Sequence, residues 1–129
     1  MLNIKKLLTQ LCKANQVTNL SASYTTNSYV SSTEFARCEY RQYGYLLIAN
    51  IQFQVSSMPK STAFTTIGKI TLPKGLRVAI REEVPTTSGG EVLVTIGTDG
   101  TIQIYNYHST AAGGWVRFTG VGILSGGVL

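Results

Sequence analysis

Between Val92 and His108 the sequence reads VLVTIGTDGTIQIYNYH, with apolar residues on alternate positions either side of a central Asp-Gly. Val92, Val94 and Ile96 mark one arm, Ile102 and Ile104 the other. Strand side chains point to opposite faces in turn, so a period of two makes one face apolar and leaves the other polar. Thr98-Asp99-Gly100-Thr101 is a strong hairpin signal, and the type I′ turn it predicts needs positive φ at both central residues. A chain built on this rule folds as sheet.

The same period returns elsewhere. Cys38, Tyr40 and Gln42 alternate with Arg37, Glu39 and Arg41. Leu47, Ala49, Ile51, Phe53 and Val55 share one face of a long strand, with Ile48, Asn50, Gln52 and Gln54 opposite. AFTTIGKITL predicts one or two short strands interrupted near Gly68, and Pro73-Lys74-Gly75 predicts a turn. LRVAIRE predicts a strand with Leu76, Val78 and Ile80 on one face, Pro85 to Glu91 a loop, and WVRFTGVGIL a last strand through Val116 and Phe118. Many short strands with no helix between them define an all-β body over residues 36–129, a sandwich or small barrel. No internal repeat suggests a propeller or solenoid.

Ahead of this body the period differs. Met1, Ile4, Leu8, Leu11, Asn15 and Thr18 follow 3–4 spacing, a heptad seam over residues 1–18 that Asn3 can cap. Two readings stand: an amphipathic helix packed on its own domain, or the end of a coiled coil. Residues 19–35 are rich in Ser, Thr and Asn and read as a polar linker or arm, which Tyr24 and Tyr29 pin to a neighbouring surface. The start has no small-residue cleavage site of a signal peptide, and no apolar run is long enough to span a bilayer.

Chemistry is sparse. The net charge of +5 comes from scattered bases, not the stripe that nucleic-acid binding uses. Cys12 and Cys38 read as small buried hydrophobes, with no CxxC or metal-ligand spacing. His108 is the only histidine, and there is no GxSxG for a nucleophile. A glycosidase needs two facing carboxylates, and the six acids show no such pair in sequence. The reading is a non-enzymatic chain without metal or cofactor.

Aromatics point further. Tyrosine and tryptophan suit half-wet surfaces and stacking on sugar rings. Tyr105, Asn106, Tyr107 and His108, where a strand runs into a loop, are the candidate ligand contacts, with Trp115 a fifth.

TTIGKITLPKGLR, GTDGTIQIYN and WVRFTGVGIL together resemble the C-terminal head, or receptor-binding, domains of bacteriophage tail fibre and baseplate proteins. The pattern falls on Thr66, Ile67, Gly68, Leu72, Pro73, Gly75 and Arg77, then Asp99, Gly100, Ile102 and Ile104, then Trp115 and Phe118. Leu76 stands where an aromatic is usual and Val78 where proline is common. The resemblance spans about residues 36–124. It implies a jelly-roll-like β-sandwich behind a short coiled-coil helix, assembled as a homotrimer with Ile4, Leu8, Leu11 and Asn15 at the seam. It further implies a virion protein, made in the host cytoplasm, that recognises a bacterial surface polysaccharide and meets other tail or baseplate proteins. Alternatives are a structural virion component, a carbohydrate-binding module of another system, and a polysaccharide-cutting enzyme.

Overall fold

A computed structural model describes residues 3–14, 16–60, 63–108 and 110–126. Helix α1 (Ile4–Ala14) is followed by β1 (Val17–Leu20), β2 (Ala22–Tyr24), a 3-10 turn (Ser32–Glu34), β3 (Glu39–Tyr43) and β4 (Leu46–Met58). Then come β5 (Thr65–Ile70), β6 (Ile80–Pro85), β7 (Glu91–Ile96), β8 (Thr101–Tyr105) and β9 (Ala112–Ile123). All pairings are antiparallel, in a four-stranded sheet ordered β1-β3-β4-β9 and a five-stranded sheet ordered β2-β5-β8-β7-β6.

The alternation read from sequence builds the core. Leu47, Ala49, Ile51, Phe53 and Val55 on β4 are buried, as are Val92, Val94 and Ile96 on β7 and Ile102 and Ile104 on β8. Val116 and Phe118 extend the same apolar layer from β9. The two sheets share this one core, which is the reason the exposed partners of each buried residue line two outer faces.

The jelly-roll-like fold behind a coiled-coil helix is corrected on both counts. Neither sheet closes on itself, and each hairpin stays within one sheet: β3–β4 in the smaller, and the β6–β7–β8 meander in the larger. With β5 lying beside β8, the larger sheet is a single Greek key, whereas a jelly roll wraps two around both sheets. The heptad seam fails because the helix stops at Ala14. Thr18, expected as a seam position, sits in β1 opposite Gln42. What remains is eleven helical residues, capped at the start by Asn3, whose Oδ1 accepts from Lys6 N at 3.0 Å. Its apolar stripe is uncovered, with Ile4 66% and Leu8 56% exposed. Asn15 and the Leu11 and Cys12 side chains lie outside the described residues.

The segment expected as a linker is instead structural. β1 and β2 supply an edge strand to each sheet, so residues 17–24 belong to the body. Tyr24 stacks on Phe35 at 4.1 Å, and β5 makes room for its ring with Gly68. A Cβ at Gly68 would come within 2.7 Å of the Ser23 carbonyl oxygen and 3.0 Å of the Tyr24 ring. β5 also shifts register against β8 between Thr66 and Gly68, the interruption the sequence marks there. Cys38 is half-buried, and its thiol lies 3.6 Å from the Gln52 carbonyl.

Two local expectations shift. The strand expected from Leu76 begins at Ile80 and runs to Pro85. Leu76 is bridged to Leu124 instead, and Val78 is left exposed, because Arg77 N bonds to Ile123 O and draws this stretch toward the other sheet. The Asp-Gly turn is not type I′, since positive φ occurs at Gly100 (91°) and not at Asp99. Gly100 N donates to Gly97 O and Gly97 N to Thr101 O, the three-residue loop that ends in a left-handed glycine.

Candidate functional site

The period of two sends Tyr105, the last residue of β8, to the outer face of the five-stranded sheet while Ile104 turns into the core. From there a row of rings runs along the surface. Phe64, just before β5, stacks on Tyr105 at 5.0 Å between centroids. Tyr107 follows at 5.9 Å from Tyr105, and His108 at 5.4 Å from Tyr107, with mutual tilts of 21–27°. These spacings exceed the ~3.5–4 Å separation of carbon layers in contact. The rings are therefore slid and tilted past one another, and part of each face stays uncovered.

The row ends in a polar contact, with His108 Nε2 lying 3.2 Å from Glu91 Oε2 at the start of β7. Both side chains are about two-fifths exposed (36% and 40%), so this is a wet contact worth little to stability. Its consequence is orientation, since Glu91 fixes the imidazole at the end of the row. Leu93 lies across from Tyr105 and Gln103 bonds to Thr66 Oγ1 at 3.3 Å, which continues the surface with an apolar floor and an amide.

Asn106 plays a different part from its neighbours. It is fully buried, and its Nδ2 donates to Met58 O at 2.7 Å and Thr110 O at 3.3 Å. Its Oδ1 accepts from His108 N at 3.0 Å. Asn106 thus ties the loop to the end of β4 and holds Tyr107 and His108 up; its amide is already spent. Trp115 stands apart, on β9 opposite Gln54, on the outer face of the other sheet. Its backbone N–H donates to Thr87 Oγ1 at 2.8 Å.

Of the five residues singled out in sequence, the structure brings together Tyr105, Tyr107 and His108, makes Asn106 their support, and leaves Trp115 elsewhere. Phe64 and Glu91 were missed. Phe64 follows a stretch of loop with no period, and Glu91 joins through the pairing of β7 with β8, a contact between residues far apart in sequence. In sequence Glu91 read only as the last residue of the Pro85–Glu91 loop.

Among the described residues, no group of three or more His, Cys, Asp or Glu is placed to hold a metal, and no helix is long and apolar enough to cross a membrane. Asp99 serves the turn: Oδ1 accepts from Thr101 N at 3.0 Å and Oδ2 from Thr101 Oγ1 at 2.9 Å. Those bonds, the backbone one first, hold its carboxyl below the usual range. No family model, curated protein or solved structure matches the chain.

Proposed function

We propose that the chain is a non-enzymatic carbohydrate-binding head, and that the row Phe64–Tyr105–Tyr107–His108 is where it meets a bacterial surface polysaccharide. The observation that carries this reading is the row itself. Partly exposed, slid rings take the apolar faces of sugars, while two phenol hydroxyls, an imidazole and the Glu91 carboxylate take their hydroxyl groups. The row lies on a rigid sheet and a clamped loop, so little order is lost when a ligand binds.

The setting proposed is a phage tail fibre or baseplate, in the assembled virion. Support for it is the order and spacing of the three sequence motifs, of which two lie on the strands that frame this site. Copies assemble as a homotrimer through the β1 side of the four-stranded sheet, where Val17 and Leu46 are exposed beside Tyr43. Coupling three weak sugar sites raises apparent affinity by a factor of about 10² or more.

A second reading has its own observation. The same uncovered apolar row suits a structural virion component that joins other tail proteins and contacts no receptor. Retention of the recombinant protein on host cells or on immobilised surface polysaccharide separates the two. Retention that Tyr107→Ala abolishes supports the adhesin. Retention that survives Tyr107→Ala, or none on any host whose phage requires the protein for assembly, rejects it.

A further inference from the structure

β9 is an outer strand, paired with β4 alone. Successive residues of a strand direct their N–H and C=O groups to opposite sides. On β9, Gly113 O accepts from Ser88 N at 3.1 Å, Trp115 O from Thr87 N at 3.2 Å and Ile123 O from Arg77 N at 2.9 Å, all on the side away from β4. The same parity sends the N–H and C=O groups of Arg117, Thr119 and Val121 to that side, and among the described residues none of them has a backbone partner there. Two clamps therefore leave between them an open window of about five residues, ~17 Å at ~3.4 Å per residue.

An open groove of about 720 Å³ runs beside this window, between residues 77–82 and 119–123. Val78 (75% exposed), Ile80 and Val121 (57% exposed) make its apolar wall. Arg77 and Arg81 stand on its rim with Glu82, and Arg117 lies at the window's end. Arg81 and Arg117 against Glu82 leave a positive balance here, which favours an acidic occupant.

We infer that this window binds a short extended peptide in which apolar and acidic residues alternate, added antiparallel to β9. Backbone groups of the peptide would meet those of Arg117, Thr119 and Val121, its apolar side chains would enter the groove, and its carboxylates would face the arginines. The β9 of a second copy does not fit. That strand is twelve residues long, and pairing about Thr119 would drive its Trp115 into the place Arg77 holds beside Ile123. The occupant is short or turns away at both ends. Nothing here depends on the ring row, which lies on the outer face of the other sheet.

The test is calorimetric titration with a blocked peptide alternating valine and glutamate, beside its valine–lysine counterpart. The glutamate peptide is expected to bind at least tenfold more tightly than the lysine one, and to weaken as salt rises. Exchange of the Arg117, Thr119 and Val121 amide hydrogens should slow on binding. Thr119→Pro removes an N–H that faces the open side and no ladder bond, so the variant folds and loses binding by tenfold or more. Thr119→Val controls for loss of the Thr119 Oγ1–Asn50 Oδ1 bond of 2.8 Å and should bind normally. Absence of binding at millimolar peptide, full binding by Thr119→Pro, or binding lost only in Tyr107→Ala overturns the inference. Self-association that Thr119→Pro abolishes overturns it too, by making the occupant a second copy.

Discussion

The hydroxyl of Tyr24 lies 2.9 Å from that of Tyr40, and this contact joins the two sheets, since Tyr24 belongs to β2 and Tyr40 to β3. Elsewhere the sheets meet through apolar packing and through loop bonds such as Arg77 N to Ile123 O and Asn106 Nδ2 to Met58 O. Burial pushes the Tyr24 phenol up to about 12, and burial then the Tyr24 bond push that of Tyr40 further in the same direction.

The pair makes the fold sensitive to alkali. An unfolded tyrosine loses its proton near pH 10, whereas the folded Tyr24 keeps it to about 12. Between those values the folded chain binds more protons, so the stabilisation is present below pH ~10 and falls as pH rises through about 12. Denaturation curves across that range should show the loss, and Tyr24→Phe with Tyr40→Phe should flatten it. At neutral pH Tyr40→Phe should cost about 1 kcal/mol. Stability unchanged by alkali would mean that the phenols titrate normally.

The turn at Gly100 should tolerate no side chain. Its φ is 91°, and a Cβ there would run into the Ile70 carbonyl oxygen. Gly100→Val should lower stability by about 2–3 kcal/mol, while Thr98→Val next door changes it by under about 0.5 kcal/mol. The Asp99 carboxyl is held low, so what it adds is present above its unfolded pKa of ~3.9 and lost as pH falls through the lower folded value. Asp99→Asn should remove that acid-side dependence.

The sequence exposed the sheets better than their ends. Alternation along Leu47–Val55 and Val92–Ile104 named the core residues correctly, because one buried face forces a period of two. The heptad continued past Ala14 only as letters. Thr18 fits a helical seam and an edge strand equally, and its pairing with Gln42 decides in favour of the strand. The site was partly legible for a related reason. Tyr105 and Tyr107 flank a buried Asn106, and only the phase of β8, carried past Ile104, separates the rings that face outward from the amide that faces Met58.

That separation gives a test of roles. Asn106→Ala leaves the Met58 carbonyl buried without its donor and should cost about 2–3 kcal/mol of stability, with loss of binding following from the loosened loop. Tyr107→Ala should leave the melting temperature nearly unchanged and reduce glycan binding about tenfold or more. Equal destabilisation by both would place Tyr107 in the core and not in a site.

Assembly through the β1 side makes a further expectation. Tyr43→Asp with Leu46→Lys introduces charges on an exposed apolar row without touching the core. Light scattering should find trimer for the parent and monomer for the variant, both folded by circular dichroism. A monomeric parent at high concentration would remove the proposed interface.

The most direct measurement is nuclear magnetic resonance of the aromatic side chains during titration with fragments of bacterial surface polysaccharides. A sugar that binds should shift the ring signals of Phe64, Tyr105, Tyr107 and His108 together and leave Trp115 still. Fragments that bind while those four rings stay unmoved, or a shift centred on Trp115 and the opposite sheet, would contradict the account.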